Sequence, residues 1–301
     1  MSRRTRNGPS DDTPPPAPEP LAVPVLDAHC HLDLMGPPDG GRAGDRAAAA
    51  RGDLDVHGEH VVGQIAQAAA VGVATLVQVG VDLPSSRWSA ELAAAHRGVH
   101  AAVALHPNEA GAGAATDEAL REIEALAALP QVVAVGETGL DHYRTETAEG
   151  HRRQEESFRA HIAIAKRTGR ALMIHDRDAH DDVVRVLLDE GAPEHVVFHC
   201  FSGGVELART CAEHGWVASF AGTLTFRNAD GLREAAVLLP DELLLVETDA
   251  PFLTPSPYRG RPNAPYLVPH TVRALAQVRG ADLDALCAAV TATGERTFTP
   301  V

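Results

Sequence analysis

The chain has 301 residues, a formal net charge of −15 with its 16 histidines counted as neutral, and a hydrophobic share of 45% against an aromatic share of 4%. Such an acidic balance excludes polyanion binding by a generally basic surface, so any contact with nucleic acid has to run through a local patch or through bound cations. No stretch approaches the roughly 18 consecutive apolar residues of a membrane span, and Arg3-Arg4 leads into Asn, Gly and Pro, so a cytoplasmic protein is expected.

This length exceeds the usual limit of one hydrophobic core, yet α/β barrels commonly reach it as a single domain. Residues 1–24 hold seven prolines and little to bury, the composition of a disordered tail, so the folded domain is expected over 25–301. Eight short apolar runs then recur as buried parallel strands do, at 25–26, 75–79, 101–105, 132–135, 171–174, 196–198, 216–220 and 243–246. After the first run, residues 36–59 are rich in Gly, Ala, Arg and Asp and read as a flexible insertion loop on the catalytic face, or a lid. Helical stripes fill the later gaps. Val61, Ile65, Ala68 and Ala69 mark one face, with Gly72 as its stop; Thr116-Asp117-Glu118 opens a second helix; Val183, Val184, Leu187 and Leu188 form a third, ended by Gly191. Strand and helix alternating in this way predict an α/β fold closed as a (β/α)8 TIM barrel. A doubly wound sheet is the alternative, disfavoured because no GxGxxG or P-loop follows a strand. The four cysteines are scattered without a CxxC, which excludes a disulfide scaffold or zinc knuckle and leaves them as small buried thiols.

Barrel enzymes carry their chemistry at the carboxyl ends of the strands, so the residues that follow each run are the informative ones. The first run leads into Asp27-Ala28-His29-Cys30-His31, the fourth into Gly136-Glu137, the fifth into His175, the sixth into His199, and the eighth into Glu247-Thr248-Asp249. His29 and His31, two apart on a strand, share a face and can grip one cation together. A lone strand-end histidine is commonly structural. His29, His31, Glu137, His175, His199 and Asp249 converging on one mouth would be a costly polar cluster unless cations engaged them. Six ligands exceed the need of one ion and favour two divalent cations about 3.5–4 Å apart, with Zn²⁺, Mn²⁺ or Fe²⁺ suiting the mixed donors and Mg²⁺ only with retained waters. Lys166, the only lysine, lies mid-helix and cannot serve as a carboxylated bridge, which leaves Glu137 for that role.

DAHCHLD at 27–33, GETGLDHY at 136–143, IHDRDA at 174–179, HCFSG at 199–203, GTLTFRNA at 222–229 and ETDAPFL at 247–253 closely resemble the TatD-family metal-dependent deoxyribonucleases, over nearly all of residues 25–298. The resemblance implies a TIM barrel, a binuclear site for Mg²⁺, Mn²⁺ or Zn²⁺, and hydrolysis of nucleic-acid phosphodiesters, commonly single-stranded DNA from its 3′ end. Carried over by position, it implies one ion held by His29, His31, Glu137 and Asp249 and another by Glu137, His175 and His199. Glu137 and Asp249 are the catalytic candidates, Asp249 as acceptor of a proton from the attacking water. Three positions depart from the pattern: His161 stands where the family usually has Gln, Gly294 where it has Asn, and Asn108 where a second His is frequent.

Around the ligands, Arg177, Ser202, Thr223 and Arg259 fall in βα loops on the same face and are candidates for phosphate contacts, with ordinary solvated loop residues as the alternative. His106 is a substrate contact or a structural histidine. Phe226 or Tyr143 can stack a terminal base or simply pack. The leading expectation is a two-metal phosphodiesterase that takes nucleic acid as substrate, with no membrane and no stable protein partner. Hydrolysis of another ester, a lactone or an aminoacyl linkage is the alternative. A non-catalytic nucleic-acid-binding scaffold is disfavoured by the intact ligand set and the acidic charge.

Overall fold

The computed structural model describes residues 13–35 and 54–299. Its strands are β1 (Val25–Cys30), β2 (Val73–Val79), β3 (Val99–Val103), β4 (Val132–Asp141), β5 (Ala171–Arg177), β6 (Val196–Phe198), β7 (Val217–Phe220) and β8 (Leu244–Val246), each parallel to and hydrogen-bonded with the next. The last meets the first: Cys30 bridges Ala250 in parallel, the Asp249 amide donates to His29 O at 2.9 Å, and the His31 amide donates to Ala250 O at 2.8 Å. The sheet is therefore a closed barrel of the expected TIM type.

Helices α1 (Glu59–Ala70), α2 (Leu83–Ala95), α3 (Pro107–Gly111), α4 (Asp117–Ala127), α5 (Ala148–Thr168), α6 (His180–Glu190), α7 (Val205–His214), α8 (Asp230–Leu238), α9 (Val268–Arg279) and α10 (Leu283–Thr297) alternate with the strands or follow them. Their ends follow the local chemistry. Thr116 Oγ1 accepts the Ala119 amide at 3.2 Å to start α4, and Gly191 follows the last turn of α6 with φ +70°. Lys166 lies in the last turn of α5, not mid-helix, and donates to Glu190 O and Gly191 O at 2.9 and 3.1 Å, outside the barrel mouth. The wall is built from small aliphatics, as the composition implied: Val77, Ala101, Ala102, Ala134, Leu172, Val197 and Ala218 are fully buried. All four cysteines are free, and three of them are buried while Cys200 is half-buried.

The expectation of a disordered tail over 1–24 needs correction for its second half; residues 1–12 lie outside the described residues. Residues 13–24 form a strap across the barrel's flank. Arg261 donates to Thr13 O and Pro14 O at 2.7 and 2.9 Å, the Tyr266 hydroxyl donates to Pro15 O at 2.6 Å, Arg273 to Glu19 O at 2.6 Å, and the Leu21 amide to Val71 O at 3.1 Å. Leu21 is 7% exposed. Proline richness misled because an extended segment whose carbonyls are satisfied by arginine and tyrosine donors needs neither its own amides nor a large apolar stripe. Gly72 stops α1 at φ +86°, and a Cβ there would press on Leu21 at 3.0–3.1 Å, so it also makes room for the strap. The loop expected over 36–59 is shorter at its far end. Residues 36–53 lie outside the described residues, but Leu54 O accepts the Trp88 indole at 2.7 Å, Val56 is buried and Glu59 already opens α1.

Candidate metal centre

Strand β1 and the residue just after it carry Asp27, His29 and His31 at alternate positions, hence to one side, and all three are buried. Asp27 anchors the seam with β8. Its carboxylate accepts the Thr248 amide at 2.8 Å, the Thr248 hydroxyl at 2.5 Å and the His29 amide at 3.3 Å, while burial pushes it up to about 8. That clamp fixes the turn in which Asp249 adopts φ +52°, a left-handed conformation that a non-glycine residue holds only when its surroundings demand it.

The donor atoms then meet. His29 Nε2 and His31 Nε2 are 3.0 Å apart; His29 Nε2 lies 3.6 Å from Glu137 Oε2 and 3.8 Å from Asp249 Oδ1; His31 Nε2 lies 3.9 and 3.6 Å from the same two atoms. Ligands about 2.1 Å from a tetrahedral ion stand about 3.4 Å apart, so these four donors fit one cation. The other oxygen of Glu137 faces a second group. Oε1 lies 2.6 Å from His175 Nδ1 and 2.9 Å from His199 Nε2, with His106 Nε2 at 3.5 Å. All six sequence-predicted ligands are thus brought together, and one carboxylate divides them into two sets. Glycines make the strand beside it possible: Gly139 has φ +138°, and a side chain at Gly136 or Gly139 would collide with Met173 or His175 of β5.

Outer partners orient the imidazoles. His31 Nδ1 donates to Val79 O at 3.0 Å, His199 Nδ1 lies 3.1 Å from Glu247 Oε1, His175 Nε2 lies 3.2 Å from Asp141 Oδ2, and His29 Nδ1 rests 3.2 Å from Met173 Sδ. With those nitrogens occupied, the remaining nitrogen of each ring faces the centre, where it offers a lone pair once the ring is neutral. The roles of Asp141, Glu247 and Asp27 were not assigned from sequence, although each lies in a motif beside a ligand. Spacing places Asp27 two residues before His29 and Glu247 two before Asp249, and that periodicity was the available signal.

The charges are mutually dependent. Burial and the neighbouring His199 hold His29 well below its ordinary range, whereas in His31 the opposing effect of burial is overcome by Asp249, Glu137 and Asp33, which raise it to about 9. Glu137, although buried, is held well below the usual carboxylate range by His199, His106 and His175. Burial raises Glu247 against the pull of His199. Protons on these rings supply the positive charge that balances Glu137, the same task a bound cation performs once the imidazoles are neutral.

The second tier of predicted residues divides. His106 joins the centre: its Nδ1 accepts the Asn108 amide at 3.0 Å, leaving Nε2 to carry the proton toward Glu137. Arg177 stacks on Tyr143 at 4.0 Å and Arg259 on Phe226 at 3.5 Å. Ser202 donates to Asp176 O at 3.1 Å. Thr223 Oγ1 is buried without a hydrogen-bond partner among the described residues and lines a cleft of about 370 Å³ with Cys200, Phe201, Ser202 and Phe226. His161 lies apart from the candidate ligands. It donates from Nδ1 to Ser157 O at 2.7 Å and accepts the Leu105 amide at Nε2 at 3.2 Å, so it pins the end of β3 just before His106. Gly294 leaves space that Leu26 fills, since a Cβ there would meet Leu26 at 2.5 Å.

A closed parallel barrel with a histidine and carboxylate cluster at the strand ends defines a metal-dependent hydrolase class of site, and the comparisons name it. The model of the family described as "TatD related DNase" matches residues 26–299, and this chain belongs to that family. It is 48% identical over 257 residues to an uncharacterized metal-dependent hydrolase TatD of Mycobacterium tuberculosis, covering 84% of this chain and 90% of that one. It is 36% identical to a protein of Citrobacter rodentium named 3'-5' ssDNA/RNA exonuclease TatD, covering 78% and 90%. The crystal structure of the TatD homolog YjjV of Escherichia coli superimposes with a TM-score of 0.77 at 26% identity, covering 91% of this chain and 97% of that one. No described helix is long and apolar enough to cross a membrane.

Proposed function

We propose that this protein is a two-metal phosphodiesterase acting on single-stranded nucleic acid, in the manner of a 3′–5′ exonuclease. The observation that carries the reading is Glu137, whose two oxygens face two separate histidine sets, His29 with His31 and His175 with His199. His29, His31, Glu137 and Asp249 would hold one divalent cation, and Glu137, His175 and His199 the other. Bound there, divalent cations neutralise phosphate charge and make a water molecule more acidic. The protein's own groups do the rest. Asp249, with its side chain 13% exposed at the mouth, takes the proton of the attacking water. His106 Nε2–H donates toward a phosphate oxygen, and Asp141 and Glu247 hold His175 and His199 in their productive tautomers. Ser202, Thr223, Arg177 and Arg259 supply contacts to the substrate on the rim. The relative named as an ssDNA/RNA exonuclease supports the choice of nucleic acid over another ester.

Asp249→Asn tests this mechanism. Asparagine keeps the shape and loses the basicity, so turnover of a labelled oligonucleotide at saturating Mn²⁺ falls by about 100-fold or more. Near-parental turnover under those conditions would leave Asp249 as a ligand only.

A further inference from the structure

Several arginines of this chain are neutralised by acidic neighbours: Arg87 by Glu122, Arg152 by Glu149 and Glu156, Arg159 by Glu155 and Glu190, Arg167 by Glu124, and Arg185 by Glu155. Two at the barrel mouth are held differently. Arg177, the last residue of β5, lies over the Tyr143 ring at 4.0 Å, and Arg259, in the loop after β8, lies over the Phe226 ring at 3.5 Å. Among the described residues neither has a carboxylate within ion-pair distance. An aromatic face fixes a guanidinium through its flat side and leaves the in-plane N–H donors free, whereas a carboxylate consumes them. Stacking therefore positions the charge without spending its hydrogen bonds. Tyr143 follows β4 and Phe226 follows β7, and β5 and β8 are likewise three strands apart, so the two stacked pairs stand on separate sectors of the rim with the histidine cluster between them. In an acidic chain these are two preset cationic points beside one centre.

Resting on the phosphodiesterase reading, we infer that the Arg177–Tyr143 and Arg259–Phe226 stacks form a two-point clamp for the backbone phosphates that precede the scissile one in the strand. The clamp makes a polynucleotide strand, and not an isolated diester, the preferred substrate. The scissile phosphate is the business of the histidine and carboxylate centre; the clamp contacts the phosphates on its 5′ side, which only a strand possesses.

The test compares Arg177→Gln, Arg259→Gln, Tyr143→Leu and Phe226→Leu with the parent on two substrates, a short oligothymidylate and bis(p-nitrophenyl) phosphate, which has no preceding phosphate. Binding of the fluorescein-labelled oligothymidylate is followed by anisotropy over a range of salt. Each Gln variant should raise KM for the strand about tenfold, the loss of one well-placed charged contact, against at most about twofold for the small diester. Each should also reduce the slope of log affinity against log salt by about 0.7, the single-strand value per phosphate neutralised. The Leu variants keep the charge and lose the platform, so affinity weakens while the salt slope stays near the parental value, a split that a merely structural role would not produce. Equal losses on both substrates, or an unchanged salt slope in both Gln variants, overturn the clamp. A parent that binds the strand with an arginine-dependent slope yet cleaves neither substrate keeps the clamp and refutes the hydrolytic reading; a parent that cleaves the strand with unaltered Gln variants does the reverse.

Discussion

Leu21→Ala measures whether the proline-rich strap is part of the fold. Leu21 is 7% exposed and lies in the strap at Val71 and Gly72, where its amide donates to Val71 O at 3.1 Å and its Cβ would meet any side chain built on Gly72. Core leucine truncations cost about 2–5 kcal/mol. This one sits at the edge of the core and can relax toward solvent, so the lower end, about 2 kcal/mol, applies. In a domain of this size each kcal/mol moves the midpoint by about 2–4 °C, so melting should occur ~4–8 °C lower. Differential scanning calorimetry at a fixed metal concentration reads the shift. Gly72→Ala should act in the same direction, because it adds left-handed backbone strain at φ +86° to a push against Leu21. A loose tail predicts the opposite, a change within about 1 °C for Leu21→Ala, and that result would refute the packed strap.

How much of this was legible in the sequence depends on the range of the signal. The strands were, because a parallel strand buried on both faces leaves an apolar run that no surface segment imitates. The convergence of the six candidate ligands was, because strand ends in a barrel all point at one mouth, so that position along the chain becomes position in space. Three features depended on partners far away. The strap reads as disorder until Arg261, Tyr266 and Arg273, some 250 residues on, supply its donors. Asp141 and Glu247 look like any other carboxylates until His175 and His199 arrive beside them. The stacks of Arg177 on Tyr143 and Arg259 on Phe226 join residues that follow or end different strands, and nothing local in either segment specifies the pairing. The departure at Gly294 is visible in the sequence, but its compensation, Leu26 filling the space, required the neighbour to be seen.

His161 provides a pH-dependent prediction. Burial holds its pKa down at about 4 against an ordinary 6.5, so the unfolded chain takes up the proton first; the stabilisation is complete above about 6.5 and is lost as pH falls toward 4. His161→Gln, which offers an amide in its place, should flatten this part of the profile, worth on the order of 3 kcal/mol in urea unfolding followed over that window. Superimposable pH dependence in the two proteins would contradict it. Glu247→Gln should weaken metal affinity by about 10–100-fold through His199 while melting changes little, as read by calorimetric titration; affinity within twofold of the parent would remove Glu247 from the orienting role. Glu137→Gln tests the bridge itself. Its Oε2 lies 3.6 Å from His29 Nε2 and its Oε1 2.9 Å from His199 Nε2, so a neutral amide withdraws the shared negative charge from both histidine sets at once. Metal analysis after equilibrium dialysis should show both equivalents of Mn²⁺ weakened together. One equivalent retained at parental affinity would mean that the two sets bind independently, and Glu137 would then be a ligand to one ion only.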